Sequence, residues 1–537
     1  MEKNYKYFIL AGLGGLILAV AYPGWSASQR LDFGFLVWIG LVPLFWALTK
    51  SKSPFWSAYS AGLVYFLIVL RWIWDFYPLD SIGINSHFFS IIALLAFYLI
   101  TVLAMAAFWG LFGFLFSKTQ SSKLAIVVIP ALFVLIEYAR TFGFGLVLAG
   151  PGTLFGPHWT MGNFVYGLAN NLLILKISSF IGIYGILFCV ILANYIFFVS
   201  SRHHREFLKH KEKMLAVLLL IAAIASSYLY HPKIQTSASK INYAVIQTNE
   251  ASDAFKTPEK QLTEFKEQLA LTDQIAKKFP GSQLIVLPEA SDFLKNLSTF
   301  LSTAQVQKYF SNLFADPHLI ISGAKVMGSD NKARSRVFAL DSKNGLIGYY
   351  DKQLLTPGGE FLPYLFRFAI DIFAKNLATR YQNIREFGIG EKKTSEFDFG
   401  KQFSVSSLVC SEILSPDLAR KTIGNADMII GMSSTAIFHG AGHTIKELLA
   451  IARFRAAENQ KPLLFAANMG LSYAIDNQGI VQKIASNEGP QILTGSIVPD
   501  PRRSWYNKVG DTPILLAFLL LISCFSLLTW FRKHRRS

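Results

Sequence analysis

Residues 345–363 read GLIGYYDKQLLTPGGEFLP. The first seven are a glycine, aliphatic and aromatic mix of strand character ending in Asp351. Lys352 follows at once, Pro357-Gly358-Gly359 forces a turn, and Glu360 leaves it. The turn lacks the strand–GxxxxGK[ST]–helix setting of a phosphate loop. Two other stretches are built alike: LIVLPEA (284–290) carries Glu289 beyond an apolar run, and FSVSSLVC (403–410) ends on Cys410. Strand ends beside loops are where layered α/β folds place reactive groups. A cysteine nucleophile needs a base to form thiolate, which Glu289 can supply. A tetrahedral oxyanion needs positive charge, which Lys352 can supply. Taken singly, each residue has an ordinary alternative: a solvated glutamate or lysine, or a cysteine acting as a small apolar filler.

Outward from these motifs, residues 231–512 alternate strand-like and helix-like runs. Strands are expected at Ile241–Gln247, Gln283–Pro288, His318–Val326, Arg336–Asp341, Gly345–Tyr350, Phe403–Cys410, Ala426–Met432 and Pro462–Ala467. Helices are expected at Pro258–Phe279 and Thr444–Asn459. The pattern predicts an α/β domain of packed sheets and helices. Phe361–Ile372 is apolar but too short to span a bilayer, and sits in a poorly patterned stretch reaching Thr394. It reads either as a surface helix packed on the domain or as a mobile arm dipping into a membrane interface.

The rest of the chain is membrane-like. Of 537 residues, 52% are hydrophobic, 16% are charged and 46 are phenylalanine; mean hydropathy is +0.37. These values exclude a disordered chain, a disulfide-rich module and a wholly soluble enzyme. Eight apolar segments are expected: Tyr7–Tyr22, Phe33–Thr49, Phe55–Trp74, Phe88–Phe116, Leu124–Tyr138, Leu172–Val199, Met214–Tyr230 and Pro513–Phe531. The first and fifth are the shortest, and the first reads alternatively as a cleaved signal peptide behind Lys3 and Lys6.

The net charge of +17 could suggest nucleic acid. Its distribution points to membrane topology instead, because Lys3, Lys6, Lys50, Lys52, Lys118, Lys123, the Arg202–Lys213 stretch and the tail from Arg532 all flank apolar segments. With the amino terminus cytoplasmic, the short outer loops hold only Arg30 and Arg140, with Arg71 at a segment end. That orientation predicts a membrane domain over 1–230 with seven transmembrane helices, an outer domain over 231–512, and a closing helix with a cytoplasmic tail over 513–537. Cys410 is then the one cysteine of the outer domain, and Cys189 and Cys524 lie in apolar runs, which excludes a disulfide framework.

With the motifs in place, the chain resembles the nitrilase superfamily: LPEA around Glu289, YYDKQLLTPGGEFLP around Lys352 and SLVCSEI around Cys410 present a Glu–Lys–Cys triad in that family's chain order. The KxxLxPxGEFxP string behind several membrane segments resembles more specifically the apolipoprotein N-acyltransferase family. RFRAAENQKPLLFAANMGLS (453–472) and IEYAR (136–140) are similar to two further family blocks. The resemblance implies an αββα sandwich joined to about eight membrane helices, in the bacterial inner membrane with the catalytic domain periplasmic and both termini cytoplasmic. It implies that Cys410 attacks a phospholipid ester and holds the acyl chain as a thioester, that Glu289 is the general base and that Lys352 stabilises the oxyanion. A diacylated apolipoprotein would be the acceptor, with no metal, cofactor or nucleic acid, and a monomer would suffice. Glu360 would tune Lys352 or Glu289, and Glu412 would order the nucleophile loop; both read equally as structural carboxylates binding loop backbone.

The chain departs from the family pattern at Ser411, at SSTAIF (Ser433–Phe438), at Gln247-Thr248-Asn249 and across Gly150–Trp159. His439 and His443, four apart, suggest metal ligands, although a loop or cap pair fits better without a third ligand. Glu137 and Arg140, at the end of the fifth segment, are either functional or a structural ion pair. Two other functions fit the same triad: a membrane-tethered amidase or hydrolase using water, and a non-catalytic envelope scaffold. A transporter fits less well, because paired broken segments are missing.

Overall fold

The computed structural model describes residues 4–23, 32–80, 84–122, 124–151, 159–202, 211–230, 239–250, 257–373, 386–391, 395–400, 402–439, 441–486 and 489–534. Among the described residues, seven helices come first: α1 (Tyr5–Ala21), α2 (Val42–Lys50), α3 (Pro54–Val69), α4 (His87–Thr119), α5 (Ala125–Val147), α6 (Leu172–Arg202) and α7 (Lys211–Leu229). An α/β part follows. It contains α8 (Pro258–Lys278), α9 (Phe293–Phe300), α10 (Thr303–Leu313), α11 (Tyr364–Phe373), α12 (Pro416–Ile423), α13 (Gly442–Asn459) and α14 (Trp505–Val509). Apolar α15 (Thr512–His534) closes the order.

Among the described residues, five helical stretches are long and apolar enough to cross a membrane: Pro54–Phe76, His87–Thr119, Ala125–Val147, Leu172–Arg202 and Thr512–Phe531. The other three expected segments form shorter apolar helices. The second is not one rod: a 3-10 turn over Gly34–Trp38 precedes α2. Asn194 of α6 binds the backbone freed at that break, accepting from Leu41 N at 2.9 Å and donating to Val37 O at 2.9 Å. The fifth segment runs past its expected end at Tyr138 to Val147. Gly143 leaves room for the Phe108 ring, which a Cβ there would meet at 2.3 Å. Arg140 therefore lies inside the helix.

The α/β part is a two-sheet sandwich. The first sheet runs β12-β1-β2-β3-β4-β5, with β1 (Ile241–Gln247), β2 (Leu284–Val286), β3 (Leu319–Met327), β4 (Ala333–Asp341), β5 (Gly345–Asp351) and β12 (Gln491–Ile497). The second runs β11-β10-β9-β8-β7-β6, with β6 (Glu396–Phe399), β7 (Phe403–Val409), β8 (Met428–Ser434), β9 (Leu463–Asn468), β10 (Tyr473–Ile475) and β11 (Val481–Ile484). Each has a parallel three-strand centre, β1-β2-β3 and β7-β8-β9, flanked by antiparallel strands. Strands β6, β10, β11 and β12 were not expected; they are short or pair with partners distant in sequence.

Strands buried on both faces explain the near-continuous apolar runs. In β1, Tyr243 and Val245 join the core between the sheets, while Ala244 and Ile246 join the core under α8, α9 and α10. The outer face of the second sheet, with Leu408, Ile429, Leu463 and Phe465, meets Ile451 and Phe454 of α13. That core is continuous with the apolar helices. The order is thus helix, sheet, sheet, helix, with the second helical layer lying between the sandwich and the apolar bundle.

Candidate active site

Three strand ends deliver the expected residues to one place. Past β2, Leu287 N donates to Ile321 O at 2.9 Å, and the chain then turns through Glu289. Gly323 makes this possible, since a Cβ there would lie 2.9 Å from Glu289 Cα. Glu289 is buried; its Oε1 accepts from Lys352 Nζ at 3.1 Å and Ser335 Oγ at 3.2 Å, and its Oε2 accepts from Ser434 N at 3.1 Å. Lys352 follows β5, and its backbone N donates to Ser335 O at 2.9 Å. Its ammonium contacts Glu360 Oε2 at 2.9 Å and donates to Thr356 Oγ1 at 3.2 Å.

The TPGGE turn closes on itself. Thr356 N donates to Glu360 Oε2 at 2.7 Å, and Glu360 N donates to Thr356 O at 2.9 Å. Cys410 was expected to end a strand. It lies instead one residue beyond β7, opening a 3-10 turn over Cys410–Leu414 with φ +48°. The left-handed φ, strained for a side-chain-bearing residue, takes Cys410 out of strand geometry, and Cys410 lines the cavity. Glu289, Lys352, Glu360, Cys410 and Thr356 all line one cavity of about 700 Å³.

Glu412 does not line that cavity. It is fully buried behind the Cys410 turn, accepting from Val409 N at 2.8 Å, Gln353 N at 2.7 Å and Tyr350 OH at 2.7 Å. It thus ties the chain after β5 to the chain after β7. Burial pushes its carboxyl up to about 7 against those donors.

The charges are unevenly balanced, with one ammonium facing two carboxylates. Burial opposes the Lys352 ammonium, but Cys410, Glu289 and Glu360 hold it well above the usual amine range. Burial pushes the Cys410 thiol up to about 11; Lys352 pulls it down, Glu289 pushes it up and the Ser433 hydroxyl pulls it down. Burial also raises the Glu360 carboxyl against the pull of Lys352. In the resting site, therefore, thiol rather than thiolate predominates at neutral pH. Any reaction through that sulfur needs a base to take the thiol proton.

The apolar bundle helps to build this site. Thr160 donates to Leu414 O through N at 3.3 Å and through Oγ1 at 2.5 Å, gripping the end of the Cys410 turn. Tyr364 N donates to Ala149 O at 2.8 Å, and Phe361 packs over Gly150. The cavity wall includes Phe438, which packs against Phe76 at 4.9 Å and Trp72 at 6.1 Å between ring centroids. The apolar stretch after Phe361 forms α11, whose Phe366 meets Phe97 of α4 at 4.8 Å. It meets the bundle and leaves Tyr364, Leu365 and Phe368 exposed. The expected arm reaches 394, of which 374–385 and 392–394 lie outside the described residues.

The remaining candidates lie elsewhere. His443 Nε2 contacts Asp75 Oδ2 at 2.7 Å, while His439 ends a 3-10 turn at φ +49°. Glu137 and Arg140 form a bidentate pair at 2.8 and 2.6 Å, and Arg140 Nη2 donates to Met161 O at 3.1 Å. Sequence reasoning missed Ser335, Thr356 and Ser434. The last two sit inside quoted motifs, but only the packing of strand ends reveals them as neighbours of Lys352 and Glu289.

Two family models match this chain. Residues 14–196 match the one described as Apolipoprotein N-acyltransferase N-terminal domain, and residues 242–507 match Carbon-nitrogen hydrolase. A protein of Geobacter metallireducens, called Apolipoprotein N-acyltransferase, is 25% identical over 94% of this chain and 92% of its own length. Relatives of the same name occur in Thermotoga maritima, at 24% identity over 89% and 86%, and in Caulobacter vibrioides, at 27% over 97% and 94%.

Proposed function

The chain belongs to the apolipoprotein N-acyltransferase family, an acyltransferase family within the carbon-nitrogen hydrolases, and from that premise we propose a two-step transfer through Cys410. In the first step Glu289 accepts the thiol proton, and the sulfur attacks an ester carbonyl of a membrane phospholipid. The tetrahedral oxyanion forms beside Lys352. Collapse expels the lysophospholipid alkoxide, which takes the proton from Glu289, and leaves an acyl thioester. In the second step the neutral α-amine of a diacylated apolipoprotein attacks the thioester. Glu289 takes the amine proton and returns a proton to the departing sulfur. Glu360 keeps the ammonium of Lys352 in place, and Glu412 holds the nucleophile turn.

The observation that carries this reading is the shared cavity wall. Glu289, Lys352 and Cys410 face the same space as Phe438, whose ring packs on Phe76 and Trp72 beside the apolar helices. Such a wall gives an acyl chain leaving a bilayer an apolar side from which to approach Cys410. The placement that fits the basic flanks puts the sandwich on the periplasmic side of the inner membrane and both termini in the cytoplasm. That placement divides the chain at 230 and 512.

The test is a phospholipid carrying a labelled acyl chain, incubated with the purified protein without acceptor. A hydroxylamine-sensitive adduct, absent from Cys410→Ser, is expected. A diacylated lipopeptide should then discharge it into triacylated product. Discharge to water alone would turn the reading to a hydrolase, and no adduct from any phospholipid would overturn it.

A further inference from the structure

The three hydrogens of the Lys352 ammonium are all engaged: Glu289 Oε1 at 3.1 Å, Glu360 Oε2 at 2.9 Å and Thr356 Oγ1 at 3.2 Å. Thr356 therefore accepts from a cation, and its own proton has two partners within reach. These are Ser411 Oγ at 3.3 Å and Cys410 Sγ at 3.8 Å. Ser411 spends its proton on Leu354 O, so it meets Thr356 as an acceptor. The Thr356 backbone is clipped to Glu360 at both N–H and carbonyl, so the side chain is held at this junction.

Resting on the acyl-transfer reading, we propose that Thr356 is a further catalytic residue: its hydroxyl swings its proton from Ser411 to the Cys410 sulfur as the thiolate forms. A neutral thiol is a weak acceptor, so in the resting site the proton goes to Ser411. A thiolate is an anion, and a hydrogen bond to it is charge-assisted. The thiol proton passes to Glu289, which becomes a neutral carboxylic acid. Thr356 keeps its own proton throughout. Its bond from Lys352 polarises the hydroxyl, so it passes part of the ammonium's influence to sulfur.

The other groups acting on the sulfur are Lys352 and the Ser433 hydroxyl, which favour the thiolate, and Glu289 and Glu360, which oppose it. Ser433 and Thr356 are thus two hydroxyls offsetting two carboxylates. Ser411 supplies the resting partner that keeps the Thr356 proton available without burying it unsatisfied.

The experiment is iodoacetamide alkylation of the full chain in detergent across pH. Cys410 is read by peptide mass, because Cys189 and Cys524 are also free thiols. Alkylation needs no lipid, so it reports on the sulfur whatever the substrate is. T356V keeps the shape and removes the hydroxyl; the midpoint for Cys410 is expected to rise by about one pH unit, a roughly tenfold loss of reactivity below it. T356A should behave the same, which guards against a packing fault in the valine variant. T356S should restore the native midpoint. A native midpoint in both T356V and T356A, or a T356S midpoint as high as theirs, would overturn the proposal. A shifted midpoint with no lipid adduct in any protein would retain the Thr356 contact and overturn the acyl-transfer reading alone.

Discussion

Arg140 and Lys352 are both buried cations held by glutamates, and their surroundings differ in one respect. Arg140 forms a closed bidentate pair with Glu137, one charge against one, and hands a further hydrogen to Met161 O. Lys352 stands between Glu289 and Glu360, one charge against two, and the group opens on a cavity that also holds Cys410. A matched pair has little left to offer a substrate. An unmatched cluster can take up a proton on one carboxylate without losing its cation, which is what a base in acyl transfer must do. Burial of charge is therefore a poor marker of function by itself; imbalance facing a cavity is the better one.

The sharpest way to break the comparison is to remove each cation. Lys352→Met should lower the rate of thioester formation by about a hundred- to a thousandfold, the scale of a lost oxyanion partner. The folded fraction, read by size-exclusion profile, should change less. If labelled-lipid kinetics showed less than tenfold loss, Lys352 would be a structural cation like Arg140. Arg140→Met should do the reverse. It strands Glu137 in the apolar bundle, at a cost of about 3–5 kcal/mol. The thermal midpoint should fall steeply while the rate per folded molecule stays near native, and Glu137→Leu with Arg140→Met should recover most of the loss. A rate defect in the double variant would assign the pair to the chemistry.

A third region lies between these two. Glu447 of α13 accepts from Tyr22 OH at the end of α1, and Tyr22 OH accepts from Gly162 N at 2.9 Å. Beside it, Asp75 meets His443 and Thr444. Burial pushes the Glu447 carboxyl up to about 7 from 4.5, while Tyr22, Gly162 and His443 pull the other way. A carboxyl raised on folding contributes stability that is full below its unfolded value and lost as pH rises through its folded one. The junction should weaken between about pH 4.5 and 7 by up to about 3 kcal/mol. Glu447→Gln should flatten that part of the curve of thermal midpoint against pH; an unchanged slope would show that Glu447 is not the titrating group. The smallest effect is expected from Ser411→Ala, which removes the resting partner of Thr356. The alkylation midpoint of Cys410 should fall by a few tenths of a unit, on the scale of one neutral hydrogen bond; a rise would place Ser411 among the donors to sulfur.

Within the sandwich, local pattern served well where strands are buried on both faces. Ile241–Gln247 matches β1, because a near-continuous apolar run suits a strand covered on both sides; the run from Gly345 also forms a strand, ending at Asp351 with Lys352 just beyond, although Leu346, Ile347 and Tyr349 of that edge strand are exposed. It failed at β6, β10 and β11, which have only three or four residues each, and at β12, whose seven residues pair with β1 far away in sequence. It also failed at the second and fifth apolar segments. There Asn194 supports a break, and Phe108 against Gly143 supports a continuation, each through a side chain on another helix.

By itself the sequence determined composition, hence the apolar bundle, and the motifs carrying Glu289, Lys352, Glu360 and Cys410. Each of these depends on a short stretch and its neighbours. Only the tertiary structure decided that Glu412 stays behind the Cys410 turn while Glu360 enters the cavity, although both glutamates follow closely on Cys410 or Lys352 in sequence. It also decided that Thr356 touches both ammonium and thiol. Those outcomes are set by which strand ends meet, and strand pairing is fixed by burial summed over two whole sheets, which no single stretch of sequence contains.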